Sequence, residues 1–439
     1  MDLSKEVFQI DTLGECKYDS PLRLSTIYGD NLVNYETDDK RVLLRNVIDR
    51  TRPPRDGHDL EDLSFEIAGP RAKTFFEPSK TTCAIVTCGG LCPGVNNVIR
   101  SLVLHLHHGY GVKKILGFRH GYQGLVPNFF HVPMKLDPET VKDINGMGGT
   151  ILGTSRGPQD VTIMVDTLEK LGVDCLFTIG GDGTLRGANA LYQEVKKRGL
   201  NISIIGIPKT IDNDLMFIDK TFGFETAFSE AARAIRSAHT EASAAPNGVG
   251  IVKLMGRHSG YVASYAALAL REVNLVLIPE QKFTLEKVYE YTKERIKRRG
   301  HIVIVIAEGA GQDIIHEGEV TRDASGNIKL KDIGRFISDN IKVHFKKEKT
   351  PLDVKYIDPS YMIRSAPAYP TDSVFTGYLA HYAGDAAMSG KTGLAVGYWK
   401  GNYTHLTLSM ATSQRNIISM ESELWRSVLR STGQPQTMI

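Results

Sequence analysis

The stretch "DCLFTIGGDGTLRGANALYQEVKKRGLNISIIGIP", residues 174–208, decides the fold class. An apolar strand, "DCLFTIG" (174–180), breaks on glycines and gives way to a helix, "TLRGANALYQEVKKRG" (184–199). A second apolar strand, "SIIGIP" (203–208), follows. Continuously apolar strands alternating with helices predict parallel sheets covered on both faces. The rhythm extends in both directions. Strands at 82–88 and 112–118 and helices at 94–108 and 161–172 come before. Helices at 225–243, 258–270 and 284–299, with strands at 249–255, 273–280 and 301–309, come after.

The reading is therefore α/β, with two doubly wound Rossmann-like domains, largely parallel sheets and an N-terminal extension. Such sheets bind ligands at the carboxyl ends of their strands. Residues 1–80 are charged and irregular, with "RTRPPRDGHD" (51–60) as loop. Residues 81–223 with about 364–410 form one expected α/β domain, and residues 224–363 with a C-terminal helix at about 411–439 form the other.

Composition narrows the function classes. A chain of 439 residues exceeds one ordinary core, and a net charge of +3 does not imply a nucleic-acid partner. Five cysteines (16, 83, 88, 92 and 175) show neither disulfide rhythm nor zinc spacing, which suits reduced thiols in a cytoplasmic protein. The N-terminal stretch lacks the apolar core of a signal peptide, and no run of 18 apolar residues would span a membrane.

Every candidate site lies just after an apolar strand. "TCGGLCPG" (87–94) frees the backbone at Gly89, Gly90 and Gly94 to approach an anion, though a tight turn alone would look the same. "IGGDGTLRGANAL" (179–191) puts Asp182 among Gly180, Gly181 and Gly183. It reads as a magnesium ligand, a helix cap, or part of a loose dinucleotide turn. "GIPKTIDND" (206–214) crowds Lys209, Thr210, Asp212 and Asp214 at a strand end. In an extended segment both carboxylates would point the same way, ready for acid–base work, although Asp-Asn-Asp is also a good former of an Asx-rich turn. "KLMGRHSG" (253–260) offers Arg257 for bidentate phosphate binding. Glu308 ends strand 301–307, and Tyr361 and Arg364 face a polar ligand. "GDAAMSGKTG" (384–393) imitates a P-loop. It carries five residues between Gly384 and Gly390, and runs from helix to strand, the reverse of that motif's order.

Six motifs, "GGLCPG", "GGTILGTSRG" (148–157), "IGGDGTLRGA", "PKTIDND", "VKLMGR" and "IAEG", together resemble the phosphofructokinases over about residues 70–410. The segment 66–80 and the long N-terminal extension are most similar to the plant and kinetoplastid ATP-dependent branch. The resemblance implies phosphorylation of fructose 6-phosphate by ATP with Mg²⁺. Asp212 would be the base and Asp182 the metal ligand. Thr210 would contact the phosphoryl group, and Asp214 would support Asp212 or the metal. Arg257 would stabilise transferred charge, with Lys209 beside it. Gly90, Tyr122, Arg156, Gly157, Gly181, Gly183, Thr184 and Gly187 would form the nucleotide pocket. Ile211, Met255, Gly256, Glu308, Lys355, Tyr361 and Arg364 would join Thr210, Asp212 and Arg257 around the sugar phosphate.

The resemblance also implies an allosteric homo-oligomer, most simply a homotetramer, without nucleic-acid or membrane partners. Three positions depart from the bacterial pattern. Tyr361 stands where bacterial members commonly have a histidine, and Gly248 and Lys355 stand where they place arginines from a neighbouring subunit; Lys355 can still bind phosphate as a point charge, but Gly248 cannot. Donor choice divides between Gly183, which favours ATP, and Lys209, usual in pyrophosphate users. Their combination belongs to the ATP branch. A pyrophosphate-dependent enzyme is the alternative, and a Rossmann oxidoreductase a remoter one.

Overall fold

Strand Cys175–Gly180 is buried along its whole length. It is one of five parallel strands at the heart of a nine-stranded sheet. The five run Leu394–Trp399, Ser203–Pro208, Cys175–Gly180, Thr82–Thr87, Lys114–Phe118. Antiparallel strands extend both edges: Asn402–Thr407, Ser64–Ile67 and Arg41–Leu43 on one side, Met134–Leu136 on the other. A second sheet, all parallel, orders Leu275–Leu277, His301–Ala307, Gly248–Leu254 and Asp353–Ile357. Burying each Ile, Leu or Val of these strands contributes about 1.5–3 kcal/mol, which is why their sequences are continuously apolar.

The computed structural model describes residues 8–47, 63–315, 321–322 and 328–439. The loop expected at 51–60 lies outside them. The chain divides into two units. The first comprises Met1–Thr210, Leu215–Gly223 and Pro367–Gln414, and the second Ile211–Asp214, Phe224–Ala366 and Arg415–Ile439. Each has its own apolar core. One is centred on Phe65, Phe118, Leu176 and Ile204, the other on Ile251, Ile304, Ile337 and Phe345. No described helix is long and apolar enough to cross a membrane.

Local chemistry sets the boundaries. Asp160 caps helix Val161–Lys170 by accepting from the Ile163 amide (3.2 Å), and Thr284 caps Leu285–Arg299 through the Lys287 amide (3.3 Å). Several expectations need correction. Residues 1–80 are not merely irregular, since Arg41–Leu43 and Ser64–Ile67 join the large sheet. The helix expected at 94–108 is α-helical over Val95–Leu104 and continues as a π-helix over His105–Tyr110. The strand expected at 273–280 pairs only over Leu275–Leu277, because it lies at the sheet edge. The P-loop imitation falls between helix Pro370–Met388 and strand Leu394–Trp399. Its Lys391 ammonium is committed to Glu66 (2.8 Å) and Asp38 (2.9 Å).

Candidate active site

In the first unit, strand Thr82–Thr87 runs into the glycine loop, and neighbouring backbone pins that loop from two sides. The Gly89 amide donates to the Ser155 carbonyl (3.1 Å), and Thr154 Oγ1 donates to the Gly89 carbonyl (2.6 Å). Lys209 Nζ donates to the Gly90 carbonyl (2.5 Å). The Lys209 side chain is buried, and this desolvation lowers its pKa, with the nearby Arg156 charge acting in the same direction. One buried cation, Lys209, is thus bonded to the glycine loop. Thr210 is fixed through its carbonyl, which accepts from Thr221 Oγ1 (2.6 Å).

Helix Asp182–Arg198 begins two residues earlier than expected, with Gly181 as its N-cap and no side chain capping it. The Thr184 amide turns back to the Gly181 carbonyl (2.9 Å), and the glycines at 181 and 183 keep side chains off this helix start. Asp182 Oδ2 lies 3.2 Å from Arg186 Nη2. A Cβ added at Gly183 would meet nothing within 4 Å. Tyr122 and Gly187, by contrast, are engaged with each other. The ring is buried and its hydroxyl donates to the Thr184 carbonyl (2.7 Å). A Cβ at Gly187 would stand 2.6 Å from that ring. Arg156 is exposed, and Gly157 takes a left-handed φ of 96°.

The second unit holds the base motif. The extended geometry expected for Asp212–Asp214 does not form. Asn213 adopts φ 53°, which bends the chain and breaks the alternation that would have aligned the two carboxylates. Asp212 is held by its own carbonyl, which accepts from Ser259 Oγ (3.0 Å), while its carboxylate takes a hydrogen bond from the Arg257 backbone amide. Desolvation first, then the charges of Asp214 and Glu308, push the Asp212 carboxyl up to about 8, with Arg415 opposing. Asp214 is almost fully buried and ion-paired to Arg415 Nη1 (2.5 Å). Ile211, next to Asp212 in the chain, is buried.

The loop after strand Gly248–Leu254 turns on Gly256 (φ 127°) with Met255 buried. It is tied to Glu308 and Gly309, whose amides donate to the carbonyls of Leu254 (2.8 Å) and Gly256 (3.1 Å). Burial raises the Glu308 pKa against the opposing charges of Arg257, Lys253 and Arg364. Arg257 Nη1 donates to the Ile328 carbonyl (2.6 Å). Tyr361 is 81% exposed, with the Arg364 guanidinium 5.0 Å over its ring. Lys355 pairs with Asp353 (3.1 Å).

A family model described as Phosphofructokinase matches residues 82–387. The chain belongs to the phosphofructokinase family. A relative from Amycolatopsis methanolica, named ATP-dependent 6-phosphofructokinase, is 45% identical, with 99% of this chain and 96% of its own covered. A Trypanosoma brucei brucei relative of the same name is 46% identical, with 86% and 80% covered. The solved pyrophosphate-dependent phosphofructokinase of Marinobacter aquaeolei superposes with TM-score 0.67 over 80% of this chain and 91% of its own. At 19% identity that likeness concerns the fold.

In this phosphofructokinase-family chain, Gly248 has a steric reason to be glycine. A Cβ there would lie 1.9 Å from the Ala242 carbonyl oxygen of the packed helix Phe224–Ala244. No arginine can stand at 248 without moving that helix. Sequence reasoning missed Ser259 and Arg415. Ser259 sat unremarked inside a quoted motif. Arg415 lies 201 residues from its partner, in a stretch carrying no motif.

Proposed function

We propose that this chain is an ATP-dependent 6-phosphofructokinase, which transfers the terminal phosphoryl group of ATP to the 1-hydroxyl of fructose 6-phosphate. The observation that carries this reading is the Asp212 carboxyl, held near pH 8 against the Arg257 amide. An ordinary carboxylate is too weak a base for an alcohol, and a raised one is better matched to the proton it must accept. Asp212 takes the hydroxyl proton as the oxygen attacks phosphorus, and Arg257 stabilises charge on the transferring group. Gly90, Gly181, Gly183, Thr184, Arg156 and Gly157 contribute to the nucleotide side, with Tyr122 and Gly187 shaping it from the core. Lys209 supplies a desolvated positive charge. Met255, Gly256, Glu308, Lys355, Tyr361 and Arg364 serve the sugar phosphate.

The residues present fit a magnesium ion. Among the described residues no group of three or more His, Cys, Asp or Glu forms a metal cage. Magnesium needs only one or two carboxylates when nucleotide phosphates and water complete its shell, and Asp182 at its helix start provides one. Bound there, the ion would neutralise phosphate charge. The same reading makes the enzyme a cytoplasmic, glycolytic, allosteric homo-oligomer, with a tetramer favoured by the family resemblance.

The second reading, pyrophosphate as donor, draws on Lys209 at the glycine loop. Open space at Gly183 argues for ATP, since an aspartate there would occupy that space with a negative charge. Family membership removes the support for an oxidoreductase. The test is a comparison of initial rates with ATP and with pyrophosphate at saturating fructose 6-phosphate and magnesium.

A further inference from the structure

We propose that Arg415 is a positioning residue, which holds the Asp212–Asp214 turn in the geometry from which Asp212 accepts the substrate proton. The inference rests on the phosphofructokinase reading of Asp212. It begins from the turn itself, which belongs to no helix or strand and carries a left-handed residue at its centre, Asn213. A short segment of that kind has no repeating hydrogen bonds to define it, so outside contacts must fix it.

Contacts from two places do this. Ser259 Oγ donates to the Asp212 carbonyl (3.0 Å). Arg415 Nη1 donates to Asp214 Oδ2 (2.5 Å), and the Asn416 amide donates to the Asp214 carbonyl (2.9 Å). Residues 415–416 therefore grip both the side chain and the backbone of Asp214, two positions from the base.

The strap containing Arg415 is anchored at its other end as well. Glu280 Oε1 accepts from the Ile418 amide (2.9 Å) and from the Gly260 amide (3.0 Å). Gly260 closes the same loop that supplies the Arg257 amide and Ser259 hydroxyl to Asp212. One carboxylate thus joins the strap to the loop, while one guanidinium joins the strap to the turn. The Asp214 side chain is only 4% exposed against 33% for Arg415, so the pair joins a buried acid to a partly solvated cation. Loss of the guanidinium removes a paired cation from a buried acid and loosens the turn that the pair holds. Arg415 touches neither reactant in this account. Its charge opposes the rise of the Asp212 pKa directly, while its hold on the turn passes through Asp214.

The experiment compares wild type with R415Q, R415K, D214N and the R415Q/D214N double variant. It measures kcat, KM for fructose 6-phosphate, thermal midpoint and amide exchange over residues 210–215. R415Q is expected to lose about 10²-fold in kcat, the usual cost of a small misplacement of catalytic groups. Its KM should stay within about threefold, and exchange at 210–215 should accelerate. R415K should regain about tenfold of the lost rate by restoring the charge with fewer donors. The double variant should be no worse than R415Q, because both changes break one contact.

A kcat within about threefold of wild type, multiplicative losses in the double variant, or unchanged exchange at 210–215 would overturn the proposal. So would a parallel fall of kcat, affinity and thermal midpoint that lysine does not relieve, since that marks a merely structural role. A wild type without turnover on ATP and fructose 6-phosphate refutes the functional reading instead. The exchange comparison still decides whether Arg415 holds the turn.

Discussion

Asp212 carries two opposed demands: it must ionise to accept a proton, yet burial and the charges of Asp214 and Glu308 resist ionisation. With its carboxyl raised to about 8, the competent base form grows as pH rises. The kcat/KM profile should therefore climb with pH and level off above about 8, with Asp212→Asn lower by ~10²-fold or more and lacking that limb. A profile flat from pH 6 to 9 would remove Asp212 from the role. Gly183 offers a second test at this scale. A Cβ at this position meets nothing within 4 Å, so the substitution starts without a steric clash. Gly183→Asp should cut kcat/KM for ATP by about 10²-fold through like-charge repulsion and affect pyrophosphate use much less. Equal losses with both donors would contradict the donor argument.

Legibility changes at the level of elements. Strand-end clusters such as "GGDG" and "PKTIDND" were readable because glycine runs and grouped charges are costly inside strands, so they mark where strands stop. The bend at Asn213 follows the turn-forming habit of Asp-Asn-Asp, which position at a strand end made easy to set aside for an extended reading. Arg415 was invisible for another reason: its partner is 201 residues away, and pairing at that distance leaves no local pattern. The short strands at 41–43 and 64–67 owe their pairing to the sheet edge rather than to their own sequence. Gly248 shows the reverse situation, a residue noticed for what it lacks and explained by what surrounds it. Gly248→Ala forces a methyl against the Ala242 carbonyl and should cost about 1–3 kcal/mol. Thermal unfolding measures it, and an unchanged midpoint would show that helix Phe224–Ala244 yields freely.

Across the whole molecule, the N-terminal region is built into the first unit by charge as well as by strand pairing. Glu66 Oε1 accepts from Arg71 (2.9 Å) and Lys391 (2.8 Å) and lies 2.8 Å from His405 Nδ1. Burial would raise the Glu66 carboxyl, but His405 and Lys391 overcome it and bring it down to about 2. A depressed carboxylate stabilises the fold above its unfolded value near 4.5, and that share is lost as pH falls toward about 2. Glu66→Gln, which leaves Asp38 as the carboxylate still paired with Lys391 and Arg71, should destabilise by ~1.5–3 kcal/mol at pH 7 in denaturant unfolding and by much less near pH 2. An equal loss at both pH values would exclude the ionic origin. The most direct test of the account as a whole is catalytic. With fructose 6-phosphate and magnesium saturating, initial rates are measured side by side with ATP and with pyrophosphate. The account predicts turnover with ATP at least about 10²-fold faster than with pyrophosphate. Equal or faster turnover with pyrophosphate, or none with either donor, would contradict it.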